Sequence, residues 1–296
     1  MNKKKNNKRI LFITLSNIGD VVLTTPVLVR LNQLYKNAKF DIVGDIKSEI
    51  LFKNCLNVHQ FFRKDKTKGF AGTLNLILKL RKVNYDIAVD LRSDGLLYFL
   101  KAKKKYHKIN NNSIHSVEKH FLSIGKESNV MPHPRVWLST DDRKKAKKIL
   151  PKTYKTFLVL GLGANSEHKI WPIKEYIQLA CMLKGKFDFI VLVGNEKDNQ
   201  LAKVFKKSYK DSLLNFCGQL DLLTTAAVLE KAELFIGNDS GLGHIASAVK
   251  TKTFTIFGPG EPHRYKPWGN KAGWMQEKNE RIKNIKPKDI YEKIFK

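Results

Sequence analysis

The residues best suited to chemistry lie in segment 237–244, which has the sequence GNDSGLGH. A predicted strand over residues 234–236 runs into this turn of small residues, and a helix begins directly after it. The free N–H groups and the dipole of such a helix end bind anions. Asp239 and Ser240 are therefore either helix caps or parts of an anion site, and His244 is either a ligand contact or a buried structural histidine. No third or fourth ligand has the spacing that a metal needs, so we predict no metal here.

Lys169 follows another predicted strand, over residues 157–162. The glycine pair of that segment lacks the third glycine of a dinucleotide fingerprint, and Pro172 interrupts the helix that should follow. On a loop beyond a strand, the ammonium group of Lys169 can neutralise a phosphate as a point charge. The alternative is that Lys169 is one exposed lysine among many and that Trp171 is a core aromatic.

Carboxylates follow two further predicted strands. Asp20 comes after the strand over residues 9–15, at the start of a helix. It either stabilises that helix end or acts as a general base. After the strand over residues 187–193 come Glu196 and Asp198. Either could hold a ribose diol, and the alternative is an ordinary loop in which Asp198 caps the next helix.

The elements that must position these residues alternate between strand and helix along the whole chain. Such alternation predicts parallel sheets with helices on both faces, here as two domains over residues 1–150 and 151–296. The last helix, over residues 287–295, can pack back on the N-terminal domain. Ligands of parallel sheets bind beyond the carboxyl ends of the strands, so two facing sheets put a cleft between the domains.

Composition limits the classes of function. The 296 residues have a net charge of +28 and are 42% hydrophobic, enough to form real cores. No stretch approaches the roughly 20 apolar residues of a spanning helix. Only nine of the 55 basic residues are Arg, and no nucleic-acid-binding module is recognisable, so we expect no nucleic-acid partner. An anionic lipid surface is the other class of partner that the charge fits.

The cysteines and the N-terminal segment indicate the cytoplasm. Cys55, Cys181 and Cys217 are odd in number and widely spaced, which predicts reduced, buried thiols. The apolar run over residues 10–15 is too short for a signal peptide, so we predict a basic tail followed by a buried strand.

Taken together, four motifs resemble the bacterial heptosyltransferases of glycosyltransferase family 9. They are the segment 16–20 with Thr25-Pro26, the loop 169–172 (KIWP), the segment 236–241 (IGNDSG) with His244, and the segment 257–259 (FGP) with 265–269 (YKPWG). Their order and spacing along residues 9–269 are similar to those of the family. The resemblance implies a GT-B fold, in which two Rossmann-like parallel-sheet domains, one for the acceptor and one for the nucleotide-sugar, face each other across a cleft.

The resemblance also implies an activity and roles for residues. It implies an inverting, metal-independent transfer of heptose from ADP-heptose to the lipopolysaccharide inner core, with no cofactor. Asp20 matches the general base. The donor-binding residues that it implies are Asn165, Ser166, Lys169, Glu196 (with Asp198 as the alternative), Asp239, Ser240, Gly241 and His244. Ser240 stands where the family usually has Thr, and Gly243 where it has a bulkier residue, which affects the donor pocket.

The partners follow from that activity. We expect a nucleotide-sugar donor, an anionic lipid-linked oligosaccharide acceptor, and peripheral contact with the inner face of the cytoplasmic membrane. The competing hypothesis is a GT-B transferase that uses a different nucleotide-sugar in core or polysaccharide synthesis.

Overall fold

Runs of buried β-branched and aromatic residues form two parallel sheets. The computed structural model describes residues 8–125, 131–277, 279 and 281–296. The chain divides into two compact units, Met1–Trp137 and Leu138–Lys296. The basic tail predicted from the sequence lies almost wholly outside the described residues.

The N-terminal unit contains a five-stranded sheet with the order β3-β2-β1-β4-β5, in which every pairing is parallel. Its strands are β1 (Arg9–Ile13), β2 (Lys39–Gly44), β3 (Val58–Arg63), β4 (Tyr85–Asp90) and β5 (Ala102–His107). Its α-helices are α1 (Ile18–Leu34), α2 (Gly69–Arg81) and α3 (Ser116–Leu122), and a 3-10 helix spans Leu96–Phe99. The central strand β1 is the most apolar, because both of its faces are covered.

The C-terminal unit contains a six-stranded parallel sheet with the order β11-β10-β9-β6-β7-β8. Its strands are β6 (Phe157–Gly161), β7 (Phe189–Val193), β8 (Leu213–Asn215), β9 (Leu234–Asn238), β10 (Lys252–Phe257) and β11 (Ala272–Gln276). Its helices are α4 (Thr140–Ile149), α5 (Ile173–Met182), α6 (Asn199–Ser208), α7 (Leu222–Lys231), α8 (Gly241–Ala248), α9 (Pro262–Tyr265) and α10 (Pro287–Phe295). This strand order is that of a Rossmann fold.

The first and last helices of the C-terminal unit are not assigned to domains as the sequence-based division expected. Helix α4 packs on α7, and Arg143 forms an ion pair with Glu230 at 2.7 Å, so α4 belongs to the C-terminal unit although it precedes residue 151. Helix α10 packs on α5 in the same unit, with Ile290 fully buried in its core. The sequence had allowed this last helix to pack back on the N-terminal domain.

Helix α1 accommodates Pro26 without ending. Proline has no N–H to donate to the carbonyl of Val22, four residues earlier. The hydroxyl of Thr25 donates to that carbonyl instead, at 2.6 Å, and itself accepts the Arg135 N–H at 2.9 Å. One continuous helix therefore follows β1, and its first turn carries Asp20.

Two sequence-based expectations are corrected, one about the cysteines and one about a helix. Cys217 is buried, but Cys181 is exposed and Cys55 is half-buried, so the three thiols are not uniformly enclosed. The sequence pattern of residues 95–102 predicts an α-helix, but the structure has a short 3-10 helix there, followed by strand β5. Three consecutive lysines in β5 leave it without the apolar run that indicates a strand. Within the described residues, no helix is both long and apolar enough to span a bilayer.

Candidate functional site

The strand order places most of the predicted donor-binding residues at one edge of the C-terminal sheet. Strands β6 and β9 are neighbours, and the chain continues in opposite directions from them, through β7 and β8 on one side and β10 and β11 on the other. Such a switch point opens a crevice at the carboxyl ends of the strands. The loop after β6 carries Lys169, and the turn after β9 carries Asp239 and Ser240.

A buried amide fixes these two loops to each other. The Asn238 side chain is inaccessible to solvent, and its Nδ2 donates to the carbonyl of Leu162 at 2.8 Å. Its Oδ1 accepts the Trp171 N–H at 2.9 Å and lies 3.1 Å from the Tyr176 hydroxyl. Because an unpaired amide would be costly here, this network holds the end of β9 against both ends of the loop that contains Lys169.

Lys169 and Asp239 meet across the switch point. The Lys169 ammonium lies 2.5 Å from Oδ2 of Asp239, and the lysine side chain is about one-third exposed. The ion pair fixes a positive charge at the edge of the crevice, and an anion there would compete for the same ammonium.

The turn after β10 packs against the loop that carries Lys169. Gln276 donates to the carbonyls of Gly258 and Gly260 at 2.8 and 3.1 Å. A Cβ at Gly258 would come within 2.7 Å of the His168 carbonyl oxygen, so only glycine permits this approach to the Lys169 loop. Gly260 has φ +153° and lies beside the Asp239 carboxylate.

Ser240 is the N-cap residue of α8, but its side chain does not cap the helix. Its Oγ is enclosed and has no hydrogen-bond partner in the part of the chain that the structure describes. The helix begins at Gly241, so the first N–H groups of α8 follow this hydroxyl directly. A hydroxyl and a row of N–H groups at a helix start form an arrangement that binds an anion.

His244 and Gly243 lie on the buried side of α8. His244 is 7% exposed, which fits the structural interpretation of this histidine better than an open ligand contact. A Cβ at Gly243 would meet Pro267 at 3.3 Å and Thr255 at 3.4 Å. The glycine therefore permits close packing of α8 on Thr255 of β10 and on Pro267. Its effect on the donor pocket stays a prediction.

The two candidate ribose-binding acids have different surroundings. Asp198 is buried, and its carboxylate accepts the Asn195 N–H at 2.8 Å. It fills the space beside Gly163 and Gly194, where any Cβ would collide with it. Burial raises the pKa of Asp198, partly offset by that hydrogen bond. These contacts of Asp198 stabilise the loop after β7, while Glu196 is exposed on the same loop.

Asn165 and Ser166 lie on the loop between β6 and the Lys169 turn. Asn165 is exposed, and Ser166 is half-buried at the start of a single 3-10 turn over Glu167–Lys169. The Lys169 N–H donates to the Ser166 carbonyl at 3.0 Å, which connects the small hydroxyl residue to the lysine.

Asp20 occupies the corresponding place in the N-terminal unit. It lies in the first turn of α1, after the carboxyl end of β1, which is next to β4 at that sheet's switch point. It does not cap the helix. Its half-buried carboxylate accepts a hydrogen bond from the Asn17 side chain at 2.9 Å, the one side-chain hydrogen bond that it makes among the described residues.

Sequence reasoning missed the residues that hold the site together. Asn238, Tyr176 and Gln276 position the loops without being candidates for chemistry. Asn238 lies in the segment 237–239 (GND), and an amide at the end of an apolar strand is a signal that could have identified it.

Comparisons with known proteins agree with this architecture. The family model "Glycosyltransferase family 9 (heptosyltransferase)" matches residues 98–295, two thirds of the chain. The chain belongs to glycosyltransferase family 9. It is therefore a glycosyltransferase, and its two parallel-sheet domains are those of the GT-B fold, as the resemblance implied.

Three relatives illustrate the similarity. Lipooligosaccharide heptosyltransferase 2 of Campylobacter jejuni is 25% identical over 261 residues, covering 86% of this chain and 82% of that protein. The solved E. coli ADP-heptose lps heptosyltransferase II superposes with a TM-score of 0.81 at 19% identity, over 97% of each chain. A family 9 glycosyltransferase from Veillonella parvula gives a TM-score of 0.86 at 19% identity, over 99% of this chain and 97% of that one.

Proposed function

We propose that this chain is an inverting, metal-independent heptosyltransferase that transfers heptose from ADP-heptose to the lipopolysaccharide inner core. Family membership supports the reaction class, and the names of the Campylobacter and E. coli relatives support the sugar, the donor and the acceptor. The observation that carries the proposal is the Lys169–Asp239 ion pair at the start of α8, beside the Ser240 hydroxyl, which has no hydrogen-bond partner among the described residues.

The diphosphate of the donor binds at this switch point. Lys169 and the first N–H groups of α8, from Gly241 onward, take the place that a metal ion has in other transferases. Asp239 holds the Lys169 ammonium in position and turns its remaining oxygen to the sugar hydroxyls, since a bare carboxylate facing phosphate would be repelled. Lys169 thereby stabilises the charge that develops on the leaving diphosphate.

Other residues along the same edge recognise the rest of the donor. Glu196 holds the ribose diol, because it is exposed while Asp198 is committed to closing its loop. Asn165 and Ser166 contact the donor from the loop after β6. His244 supports the start of α8 from its buried side.

Asp20 is the general base. The acceptor hydroxyl attacks the anomeric carbon, the bond between that carbon and the diphosphate oxygen breaks, and the hydroxyl proton passes to the Asp20 carboxylate. ADP leaves with the bonding electron pair, and attack on the face opposite the leaving group inverts the anomeric configuration. General base catalysis contributes about 10²–10⁴-fold to such a step.

The acceptor is an anionic, lipid-linked oligosaccharide, and the enzyme acts in the cytoplasm at the inner membrane face. The net charge of +28 supports this partner, because a large positive field concentrates acidic surfaces nearby. A nucleic-acid partner is not part of the proposal.

A transfer assay with the full chain tests the proposal. The enzyme and ADP-heptose are incubated in excess EDTA with a lipid-linked core, heptose-free in one reaction and carrying one heptose in another. The product is followed by mass spectrometry and by release of ADP. We expect addition of one heptose with inverted anomeric configuration. UDP- and GDP-sugars should be inert and should not protect the chain from heat unfolding.

Transfer from a UDP- or GDP-sugar, with none from ADP-heptose, would instead establish a GT-B transferase with another donor. Activity that disappears in EDTA and returns with magnesium would contradict the metal-independent mechanism.

A further inference from the structure

An apolar stripe runs along the outside of helix α2. Phe70, Leu74 and Leu78 are spaced four residues apart and are 82%, 46% and 54% exposed. Residues at this spacing lie on one side of a helix. The helix buries a different side, with Leu76 and Leu80, in the core of the N-terminal unit. A surface helix normally carries polar residues where this stripe lies.

The 3-10 helix Leu96–Phe99 carries further exposed apolar residues on the same face of the sheet. Leu96 and Leu97 are buried in the same core cluster as the inner side of α2, so both helices cover the same face of the N-terminal sheet. The neighbouring Tyr98 and Phe99 point outward and are 78% and 61% exposed. We call the five exposed residues the apolar patch: Phe70, Leu74, Leu78, Tyr98 and Phe99.

Lysines border the apolar patch. The Lys105 ammonium donates to the carbonyl of Leu97 at 3.2 Å, so the side chain of Lys105 lies on the same face of the sheet as the patch. Strand alternation puts Lys103 on that face too. The segment 63–108, which contains the whole patch, has thirteen Lys and Arg against four Asp and no Glu.

We propose that the apolar patch docks the enzyme on an anionic phospholipid bilayer. Large aromatic and aliphatic side chains bordered by lysines characterise helices that lie in the interface of a membrane, and the lysines complement its negative surface. A monomeric soluble protein rarely exposes such a group of large apolar residues without a partner. The choice of lipid over other partners also rests on the proposed function, because its acceptor is anchored in a bilayer.

Vesicle binding by the full chain tests this inference. The probe is a set of vesicles of phosphatidylglycerol and phosphatidylcholine in equal parts, compared with pure phosphatidylcholine. The test variant combines Phe70→Gln, Leu74→Gln and Leu78→Gln, and the matched control combines Leu122→Gln, Met182→Gln and Val204→Gln, which are also exposed apolar residues. We expect the parent and the control to bind the anionic vesicles. The test variant should lose affinity about 1,000-fold, since each of its three large apolar side chains contributes about tenfold.

Charge reversal provides a second variant. Lys103→Glu with Lys105→Glu should weaken anionic-vesicle binding about 25-fold or more, because each basic residue near such a surface contributes roughly fivefold. Parent-like binding by either patch variant, or no binding by the parent, would overturn the inference. So would a parent dimer that the three-glutamine variant dissociates in light scattering, which would make the patch an interface between copies.

Activity on a lipid-free acceptor separates this inference from the proposed function. Patch variants should transfer sugar to a delipidated core at the rate of the parent. If the parent binds vesicles through the patch but transfers no heptose, the proposed function fails and the docking surface stands. If heptose is transferred and the patch variants bind vesicles normally, the docking surface alone fails.

Discussion

The carboxyl ends of β9 and β1 carry the proposed functional residues in contrasting surroundings. After β9, the buried Asn238 amide, the Lys169–Asp239 ion pair and the close approach at Gly258 hold the loops after β6, β9 and β10 against one another. After β1, the Asp20 carboxylate accepts one side-chain hydrogen bond among the described residues, from Asn17. A site that stabilises developing charge needs fixed dipoles, whereas a general base needs a carboxylate that is free to accept a proton. The two ends differ in the way that these two tasks demand.

Replacing the isolated carboxylate should have the largest effect on turnover. Asp20→Asn should lower kcat about 10²–10⁴-fold, because the amide cannot accept the acceptor's proton. The affinity for ADP, measured by calorimetry, should stay within twofold of the parent, since Asp20 contributes nothing to donor binding. Near-normal turnover in this variant would exclude Asp20 as the base.

Removing the Lys169 ammonium should have the second largest effect on turnover. Lys169→Met should lower kcat about 10²–10³-fold, as loss of a preorganised electrostatic partner of the transition state does. It should also weaken ADP binding, and this distinguishes it from Asp20→Asn. Lys174→Met, on an exposed lysine five residues along, is the matched control and should behave as the parent.

Acid should destabilise the N-terminal unit through His120. Burial lowers the pKa of this histidine to about 3, and the neighbouring cations Lys108 and Lys119 add to the shift. Below about pH 6.5 the unfolded chain binds a proton that the folded chain does not, so this stability is present above pH 6.5 and is lost as the pH falls toward 3. Between pH 7 and pH 5 the loss should be about 2 kcal/mol.

Urea unfolding at pH 5 and pH 7 measures that loss. His120→Gln should remove most of the difference in unfolding free energy between the two pH values, while His263→Gln, on an exposed histidine, should leave it unchanged.

The C-terminal unit contains the opposite case in Asp198. Because the folded pKa of Asp198 is raised, its stability cost is present at neutral pH and disappears as the pH falls below the unfolded value. An acid-sensitive C-terminal unit with an insensitive N-terminal one would contradict this contrast.

The smallest expected effect concerns the enclosed hydroxyl. Ser240→Ala should raise the free energy of unfolding of the ligand-free chain by about 1 kcal/mol, because it removes a buried polar atom that has no hydrogen-bond partner in the described part of the chain. The same change should weaken ADP binding about tenfold by removing a donor to the diphosphate. Thermal unfolding with and without ADP measures both. A variant that loses stability and keeps its ADP affinity would mean that Ser240 is structural.

The sequence predicted the sheets better than the loops that hold the site. Buried apolar strands such as β1 and β6 are evident from their residues, because a strand covered on both faces must be apolar throughout. Strand β5 was missed, since an edge strand with Lys103, Lys104 and Lys105 has no apolar run. Pairing of Lys169 with Asp239, 70 residues apart, depends on the crossover order of the sheet and is invisible to local pattern.

Local sequence pattern also could not decide between alternative site residues. The spacing could not separate Glu196 from Asp198, because the difference lies in which carboxylate is enclosed by Gly163 and Gly194. It could not separate the roles of Gly243 either, since its close packing on Pro267 is a tertiary contact. Residue type indicated the chemistry, and burial in three dimensions decided which residue was available for it.

Calorimetric titration of ADP in EDTA against the parent, Asp20→Asn and Lys169→Met tests the central claim most directly. If the C-terminal switch point alone binds the diphosphate, the parent and Asp20→Asn bind with the same Kd and Lys169→Met binds at least tenfold more weakly. Equal affinity in the parent and Lys169→Met, or binding that requires a divalent cation, would contradict the account.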